Sequence, residues 1–287
     1  MDISALQAFI AVARYESFSK ASDQLHVTQP AISKRVASLE EELGTQLFNR
    51  IARQISLTEA GKQLLPKAQD LVNQAEDMQR YASNLSDDIS GNLSVAIAHH
   101  IGLHRMPPIL KEFNLLHPNV TLDIRFEDSD KAYTGVEHGD IEFAVVTLPQ
   151  FVPNKLKKET VWVDDLDIMV SKDHVLANES RLDLNVLSTF PCVLTSSDTE
   201  THQVIFREFE QRDLRMNVQM QTNNLETLKM LTNAGLGWSL LPKTMSSKEL
   251  RALDVGLTLS RNLGLVFHER RSLSNAALAL KSLIQSS

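Results

Sequence analysis

One long helical pattern divides this chain and limits the folds that it can adopt. Apolar residues recur between positions 64 and 89 at alternating intervals of four and three: Leu64, Ala68, Leu71, Ala75, Met78, Ala82, Leu85 and Ile89. This spacing places them along one side of a helix, as the a and d positions of a coiled coil. With Thr58 as N-cap, the pattern predicts a single helix over residues 59–89, about 45 Å long at about 1.5 Å per residue.

An apolar seam of this length must be buried against another surface. Large and small side chains alternate along it, so two copies of the helix can approach each other closely. We therefore expect the helix to hold a dimer together. The alternative is a core helix packed inside one domain, since a heptad pattern of this length is compatible with both.

The sequence differs in kind on the two sides of this helix. Residues 1–58 carry short helical patterns with little strand signal. Residues 92–287 alternate helical patterns with short apolar or β-branched runs, namely LSVAIA, VTLDIRF, EFAVVT, DIMVS, PCVLT, MNVQM, GWSLLP and GLVFHE. This alternation is typical of βαβ units, so we expect mainly parallel sheets with helices on both faces. At about 200 residues, this α/β region is expected to split into two lobes.

The charge of the chain is unevenly distributed. Its 29 Lys and Arg and 36 Asp and Glu give a formal net charge of -7, which at first argues against binding to nucleic-acid phosphates. Residues 1–62, however, hold seven basic and seven acidic side chains, so all of the excess negative charge lies beyond them. The composition is therefore compatible with an N-terminal region that binds nucleic acid.

Several features of the chain indicate the cellular compartment in which the protein is expected to function. The single cysteine, Cys192, cannot form an intrachain disulfide, which fits a reducing compartment. The N-terminus lacks the pattern of a secretory signal, and no apolar run reaches the length of about 18 residues that spans a bilayer. We expect a soluble, cytoplasmic protein that does not associate with a membrane.

Residues 19–43 have the pattern of a helix-turn-helix. A short helix is expected to open after Ser19 and to carry the small Ala21, where a second helix can cross closely. His26 and Val27 turn the chain, and Thr28 caps a second helix. In that helix the apolar residues Ile32, Val36, Leu39 and Leu43 are expected to face the core.

The start of the second helix carries side chains suited to reading DNA. The candidate DNA-binding residues are Thr28, Gln29, Pro30, Ser33, Lys34 and Arg35, followed further along by Arg50 and Arg53. Glutamine pairs with adenine in bidentate fashion, lysine reaches guanine acceptors, and serine serves as donor or acceptor. The arginines would contact phosphates or the minor groove. The alternative is a three-helix domain that mediates other interactions and does not bind DNA.

These residues carry a family resemblance. The stretch ALQAFIAVARYESFSKASDQLHVTQPAISKRVASLEEELGTQLFNR, followed by ISLTEAG, resembles the N-terminal signature of LysR-type transcriptional regulators. The resemblance implies an all-α winged helix-turn-helix, a dimerising linker helix, and a C-terminal α/β regulatory domain of two lobes like those of periplasmic binding proteins. Lys34 stands where arginine is frequent in the family, so the bidentate geometry of arginine is lost there.

The resemblance also assigns domains along the chain. It places the winged helix-turn-helix at residues 1–58 and the linker helix at residues 59–90. The first regulatory lobe is expected to comprise residues 91–161 together with residues 268–287. The second lobe is expected to comprise residues 162–267.

A small-molecule effector is expected between these two lobes. In such folds ligands bind in the crevice at strand ends, where helix N-termini offer free N–H groups to an anion. The candidate effector-binding residues are therefore His99, His100, Ile101, Thr147, Thr199, Thr201 and Asn223, and the effector is expected to be anionic in one interpretation.

His99 and His100 depart from the family pattern, in which a small hydroxyl residue follows the first strand. Three interpretations remain open: neutral hydrogen-bonding partners, a protonatable anion site with a pKa near about 6.5, or metal ligands. The last is suggested by the i, i+4 spacing of His100 and His104, but no Cys or acidic cluster lies near them in sequence. We expect neither a metal nor a cofactor.

The remaining polar residues do not form a catalytic pattern. Asp164, Asp165 and Asp167 alternate with apolar residues, which favours a solvated strand edge over an acid/base pair, and Cys192 lies in an apolar strand as an inert core residue. No nucleophile elbow, metal set or phosphate loop is recognisable, so an enzyme is not expected.

The sequence as a whole therefore predicts a LysR-type regulator. It would form a homodimer or homotetramer, bind a palindromic site on double-stranded DNA, and respond to a small-molecule effector. RNA polymerase would be a partner if the protein activates transcription. A solute-binding receptor is the competing class, favoured by the C-terminal region alone.

Overall fold

The computed structural model describes residues 1–51, 54–85, 88–179 and 181–287. The chain forms two compact units that divide between residues 87 and 88, here called the N-terminal and the C-terminal unit. The N-terminal unit contains, in chain order, helices α1 (Ile3–Tyr15), α2 (Phe18–Gln24) and α3 (Gln29–Leu43), strands β1 (Phe48–Ile51) and β2 (Gln54–Leu57), and helix α4 (Glu59–Ser83). Strands β1 and β2 pair as an antiparallel hairpin, the wing.

The helix-turn-helix of the N-terminal unit is delimited by capping residues. Ser17 caps α2 by accepting from the N–H of Lys20, so this helix begins at Phe18, slightly earlier than expected. The turn contains His26 in a left-handed backbone conformation (φ 53°). Thr28 has the extended backbone of an N-cap, and the sequence-based start of α3 is confirmed.

The core of the N-terminal unit lies between the helices and the wing. Phe9 and Phe18 each meet the ring of Phe48 edge to face, at centroid distances of 5.5 and 5.9 Å. Ile32, Val36 and Leu39 are fully buried, as expected. Leu43 is 38% exposed, so its predicted place in the core is wrong. It occupies the last residue of α3, where Gly44 (φ 65°) ends the helix.

Helix α4 begins as predicted and ends earlier than predicted. Thr58 caps it by accepting from the N–H of Gly61, and a Cβ on Gly61 would clash with the backbone oxygen of Leu47, so the helix start lies directly against the wing. The helix ends at Ser83, which makes it about 37 Å long at about 1.5 Å per residue. The following NLSDDISG segment is rich in residues whose side chains compete with helical hydrogen bonds.

The predicted seam is consequently divided among three environments. Ala68 is buried in the core of the N-terminal unit, next to Val72. Ile89 lies outside the helix and packs against a core of the C-terminal unit. Met78 and Leu85 are 71% and 75% exposed. The prediction of one continuous apolar seam over residues 64–89 is therefore wrong at both ends of that range. In its middle and late part, a stretch of exposed apolar residues remains.

The C-terminal unit alternates strands and helices. Its strands are β3 (Gly91–Ile97), β4 (Val120–Phe126), β5 (Phe143–Thr147), β6 (Leu156–Ser171), β7 (Pro191–Leu194), β8 (Asn217–Gln221), β9 (Ser239–Pro242), β10 (Leu250–Leu253) and β11 (Leu259–His268). Its helices are α5 (His99–His104), α6 (Met106–Leu116), α7 (Ser129–His138), α8 (Leu184–Ser188), α9 (Glu200–Glu210), α10 (Leu225–Asn233) and α11 (Asn275–Gln285).

The sheets of this unit are mixed, which corrects the expectation of mainly parallel sheets. Strand β3 is parallel to β4 and β5, and β7 is parallel to β8. The long strands β6 and β11 are antiparallel to each other, and β5, β9 and β10 pair with them in antiparallel fashion. The expectation failed because only the DIMVS end of β6 was recognised as a strand, since its first part carries the consecutive charged residues Lys157, Lys158 and Glu159.

Two separate cores define two lobes, and the long strands contribute to both. The first core surrounds β3 and β5 and includes Leu156 of β6 and Leu265 of β11. The second core includes Leu166 of β6, Leu259 of β11 and the buried Trp238. Because β6 and β11 pass from one lobe to the other, the lobes are joined by two paired strands. The predicted two-lobed α/β architecture is confirmed.

Candidate functional site

The N-terminal unit presents the beginning of α3 to solvent. Thr28, Gln29, Pro30 and Lys34 are exposed, and Ser33 is partly exposed. Thr28 makes no side-chain capping hydrogen bond, so its hydroxyl is not used by the helix. The buried Ile32 and Val36 hold the opposite face of α3 against the core. Five of the candidate DNA-binding residues thus lie on one accessible surface.

The three candidate arginines are placed differently. Arg35 lies on another flank of α3, close to Asp2. The pKa of Asp2 is lowered mainly by hydrogen bonds from Ser4 and to a smaller degree by Arg35. Arg53 and the side chain of Arg50 lie outside the described residues.

Sequence reasoning missed a buried carboxylate that supports the wing. Glu40 of α3 is 5% exposed and accepts hydrogen bonds from the backbone N–H groups of Leu47 (2.7 Å) and Phe48 (3.3 Å). Thr58 donates its hydroxyl to the backbone oxygen of Gln46 at 2.7 Å. These contacts fix the wing to the helices, a role that the acidic run of residues 40–42 does not reveal by itself.

The C-terminal unit contains a cavity of about 100 Å³ to which both lobes contribute residues, here called the interlobe cavity. The predicted residues that line it are His99, His100, Thr147, Thr199, Thr201 and Asn223. Ile101 is fully buried in the first core and does not line the cavity. Thr199 caps α9, and Asn223 accepts from the N–H of Ser196 at 3.0 Å, so both side chains also stabilise the wall.

A buried arginine forms part of this wall and was not predicted. Arg261 is 4% exposed and donates to Asp164 through Nε (3.0 Å) and Nη2 (2.9 Å), while its Nη1 donates to Thr201. Arg105 adds a contact to the other oxygen of Asp164 at 3.3 Å. Asp164 is 4% exposed, so its predicted place on a solvated strand edge is wrong. Asp165 does follow that expectation and reaches Lys243.

His100 is the unusual polar residue of the cavity. It is partly buried, and its solvent-inaccessible Nε2 has no hydrogen-bond partner among the described residues. Its pKa is well below the usual value because burial disfavours the charged ring, and Arg261, His104, Arg105 and His99 add repulsion. Of the three interpretations, the structure favours a neutral ring over a protonatable anion site.

The metal interpretation finds no support in the described part of the chain. No group of three or more His, Cys, Asp or Glu side chains there is arranged to hold an ion. His104, the proposed second ligand, instead pairs with Glu226, with 2.8 Å between Nε2 and Oε1. Cys192 is a buried thiol whose pKa burial raises to about 12, in agreement with an inert core residue.

Carboxylates dominate the charge around the interlobe cavity. Its acidic lining residues are Glu127, Asp128, Asp130, Asp198 and Glu200, against the single guanidinium of Arg261. The pKa of Asp130 is raised by desolvation and then by the negative charges of Asp198 and Asp128. Tyr133 crosses this region and donates to the backbone oxygen of Thr147 at 2.7 Å. Sequence reasoning did not identify these carboxylates as a group because they belong to two separate helix starts, those of α7 and α9.

Fold and site together define a class of protein. A helix-turn-helix with an accessible recognition surface and a wing is suited to DNA, and a two-lobed unit with a cavity between its lobes is suited to a small effector. None of the helices in the described ranges is long and apolar enough to cross a membrane. These features are those of an effector-responsive transcriptional regulator.

Comparison with protein families identifies the family of transcriptional regulators to which the chain belongs. Residues 3–62 match the bacterial regulatory helix-turn-helix proteins of the LysR family, and residues 86–287 match the LysR substrate binding domain. The chain therefore belongs to the LysR family of DNA-binding transcriptional regulators, which are not enzymes.

Individual relatives agree with this assignment. An uncharacterised transcriptional regulator of Bacillus subtilis, YwbI, is 31% identical over 97% of this chain and 94% of its own length. The RuBisCO operon transcriptional regulator of Allochromatium vinosum is 27% identical over 98% of this chain and 94% of its own. A solved full-length OxyR variant from Pseudomonas aeruginosa superposes with a TM-score of 0.72 over 99% of this chain and 95% of its own, at 20% identity, and shows the shared fold.

Proposed function

We propose that this regulator binds a palindromic operator in the cytoplasm as a homodimer, with one α3 helix in the major groove of each half-site. The observation that carries this proposal is the accessible surface formed by Gln29, Ser33 and Lys34. Glutamine and serine read base edges by hydrogen bonds, and lysine reaches guanine acceptors or phosphates. A dimer with two-fold symmetry requires a site with two-fold symmetry.

The exposed apolar residues of α4 support self-association. Leu71, Met78, Tyr81 and Leu85 are exposed on or just after this helix. Apolar side chains at such spacing are stabilised when a second copy of the helix covers them. We propose a dimer through this helix, with pairing of dimers into a tetramer as a further step.

The C-terminal unit would supply regulation. We assign residues 91–161 and 268–287 to one lobe and residues 162–267 to the other, although Leu263, Leu265 and Val266 of β11 still pack in the core of the first lobe. A small effector in the interlobe cavity would favour one relative orientation of the lobes, and thereby one spacing of the paired DNA-binding units. Contact with RNA polymerase would follow where the regulator activates transcription.

The DNA-binding proposal can be tested with the variant Lys34→Ala and the control Lys111→Ala. Lys111 is exposed on α6 and carries the same charge. Fluorescence anisotropy with operator DNA should show a several-fold weaker affinity and a less steep salt dependence for Lys34→Ala, because one phosphate or base contact is lost. Lys111→Ala should match the wild type. Equal affinities for the two variants, or a footprint over one unpaired half-site, would contradict the proposal.

A further inference from the structure

The charges at the mouth of the interlobe cavity are unbalanced. Glu127, Asp128 and Asp130 come from the first lobe, at the start of α7, and Asp198 comes from the second lobe, just before α9. Within the described ranges none of these four carboxylates forms an ion pair or accepts a side-chain hydrogen bond. Carboxylates from both lobes thus surround one opening without a cationic partner.

The other charges of the cavity do not offset them. Glu200 is paired with Arg207 at 2.8 Å, whereas Arg261, paired with Asp164 at 2.9 Å, shares that carboxylate with Arg105 and keeps part of its positive charge. His100 adds no charge because its ring is neutral. The remaining excess is negative, which favours a cationic ligand over an anionic one.

Helix capping does not account for these carboxylates. Asp128 occupies the N-cap of α7 but makes no side-chain capping hydrogen bond, and α9 is capped by Thr199 and not by Asp198. A helix N-terminus favours the charged form of a nearby carboxylate and lowers its pKa. Asp130 instead has a raised pKa, with Asp198 and Asp128 contributing after desolvation. For Asp130, desolvation together with repulsion from Asp198 and Asp128 therefore outweighs any benefit from the helix.

A second and independent feature of the same cavity points to a missing ligand. His100 lines the cavity, is partly buried, and has a solvent-inaccessible Nε2 without a hydrogen-bond partner among the described residues. Buried polar atoms in folded proteins are nearly always paired, so an unpaired one at a cavity wall requires an explanation. A neutral imidazole nitrogen can accept a hydrogen bond from an N–H group.

The spread of the carboxylates distinguishes between kinds of cation. They are not gathered into a group that could hold a metal ion, in the residues that the structure describes. Charges placed on two sides of an opening fit a ligand with donors at more than one point. We propose that the interlobe cavity binds a small organic cation that carries ammonium or guanidinium groups, held between Asp130 of one lobe and Asp198 of the other.

This inference rests on the proposed role of the cavity as the effector site, and it adds the chemical class of the effector. A cation between Asp130 and Asp198 removes the repulsion between the lobes and draws them together. The ligand would thus favour a closed arrangement that the carboxylates disfavour when they face each other alone. An N–H group of the ligand would reach the unpaired Nε2 of His100.

The test uses the full-length protein and two series of probes matched in size and opposite in charge. The cations are 1,4-diaminobutane, L-arginine and L-lysine, and the anions are butanedioate, L-aspartate and L-glutamate. Thermal unfolding at constant ionic strength identifies which probes stabilise the protein, and titration calorimetry gives their affinities. The variants are Asp130→Asn, Asp198→Asn and the double variant. Glu112→Gln, on the exposed face of α6, is the control for a lost carboxylate.

We expect at least one cation, and no anion, to raise the unfolding temperature. Each single variant should weaken that cation several-fold and the double variant about tenfold or more, because an exposed charge pair contributes modestly and the two add. Glu112→Gln should bind the cation as the wild type does. His100→Gln, which keeps a polar side chain, should weaken it less than His100→Leu.

Three results would overturn the inference. They are a shift with an anion, no shift with any of the cations, or equal cation affinities in the double variant and in Glu112→Gln. Operator binding measured on the same samples separates this failure from that of the proposed function. If DNA is bound as proposed while no cation binds, the effector class is wrong and the regulator assignment stands. If DNA is not bound, the proposed function itself fails.

Discussion

Glu40 supports the wing from inside the N-terminal unit, where its carboxylate accepts from the backbone N–H groups of Leu47 and Phe48. In Glu40→Ala both donors lose this acceptor, and an unpaired buried donor costs about 1–3 kcal/mol. Hydrogen exchange read by mass spectrometry should show at least about tenfold faster exchange at Leu47 and Phe48. Glu41→Ala changes the next, exposed residue and should leave both amides protected. Unchanged protection in Glu40→Ala would show that these hydrogen bonds do not hold the wing.

Asp164 is the carboxylate that allows Arg261 to be buried. The pKa of Arg261 is lowered by burial, and Asp164 opposes this by stabilising the charged guanidinium. Asp164→Asn removes that charge and leaves a buried cation unpaired, a change that costs about 3–5 kcal/mol in comparable cases. Thermal unfolding should therefore occur at a clearly lower temperature. Asp165→Asn, at the exposed neighbouring position, should shift it little, and equal shifts in the two variants would refute the role of Asp164.

Individual residues were predictable from sequence where their role depends on local spacing. Gln29 and Lys34 were placed on an exposed surface because Ile32 and Val36 repeat at the helical period. Asp164 and Arg261 were missed because they lie 97 positions apart in two strands, and their pairing depends on the register of β6 against β11. The acidic cavity mouth was missed for the same reason. In the sequence these carboxylates look like ordinary polar residues, because only the fold brings residues of the two lobes around one cavity.

A substitution in helix α4 can test the proposed dimer. Met78 is 71% exposed, and Met78→Glu would place a charge in a dimer contact at this position. Burying an unpaired charge is strongly unfavourable, so sedimentation velocity should show a shift toward monomer and operator affinity should fall with it. Met78→Leu keeps an apolar side chain of similar size and should leave assembly unchanged. A Met78→Glu variant that remains dimeric would place the interface elsewhere.

The elements themselves were largely predictable, whereas their pairing was not. Short apolar runs identified most strands of the C-terminal unit because buried strands need consecutive apolar residues. Strand β6 was incompletely recognised because Lys157, Lys158 and Glu159 open it on an exposed side. Its antiparallel pairing with β11 joins residues almost 100 positions apart, which no local pattern encodes. The end of α4 was overestimated since apolar spacing continues to Ile89 after the helical hydrogen bonds have stopped.

At the scale of the whole molecule, the net charge of -7 is distributed so that the DNA-binding part is neutral. Each N-terminal unit can therefore gain little from general attraction to phosphates, and useful affinity depends on two units acting together. The negative excess lies in the remainder of the chain, which includes the carboxylates of the interlobe cavity. The excess negative charge thus lies in the part of the chain that would bind an organic cation and not in the residues that would contact DNA.

Binding of 1,4-diaminobutane and binding of operator DNA are expected to be thermodynamically linked. If 1,4-diaminobutane changes operator affinity by some factor, operator DNA must change the affinity for 1,4-diaminobutane by the same factor. Calorimetry of the diamine with and without a saturating operator fragment should therefore reproduce the ratio obtained from anisotropy with and without diamine. In Lys34→Ala, assayed at a DNA concentration that no longer saturates it, the effect of DNA on diamine affinity should shrink. Because this equality holds wherever on the protein the diamine binds, the cavity itself is tested with the double variant Asp130→Asn/Asp198→Asn, in which both ratios should fall to about one, and a ratio unchanged from the wild type would place the diamine outside the interlobe cavity.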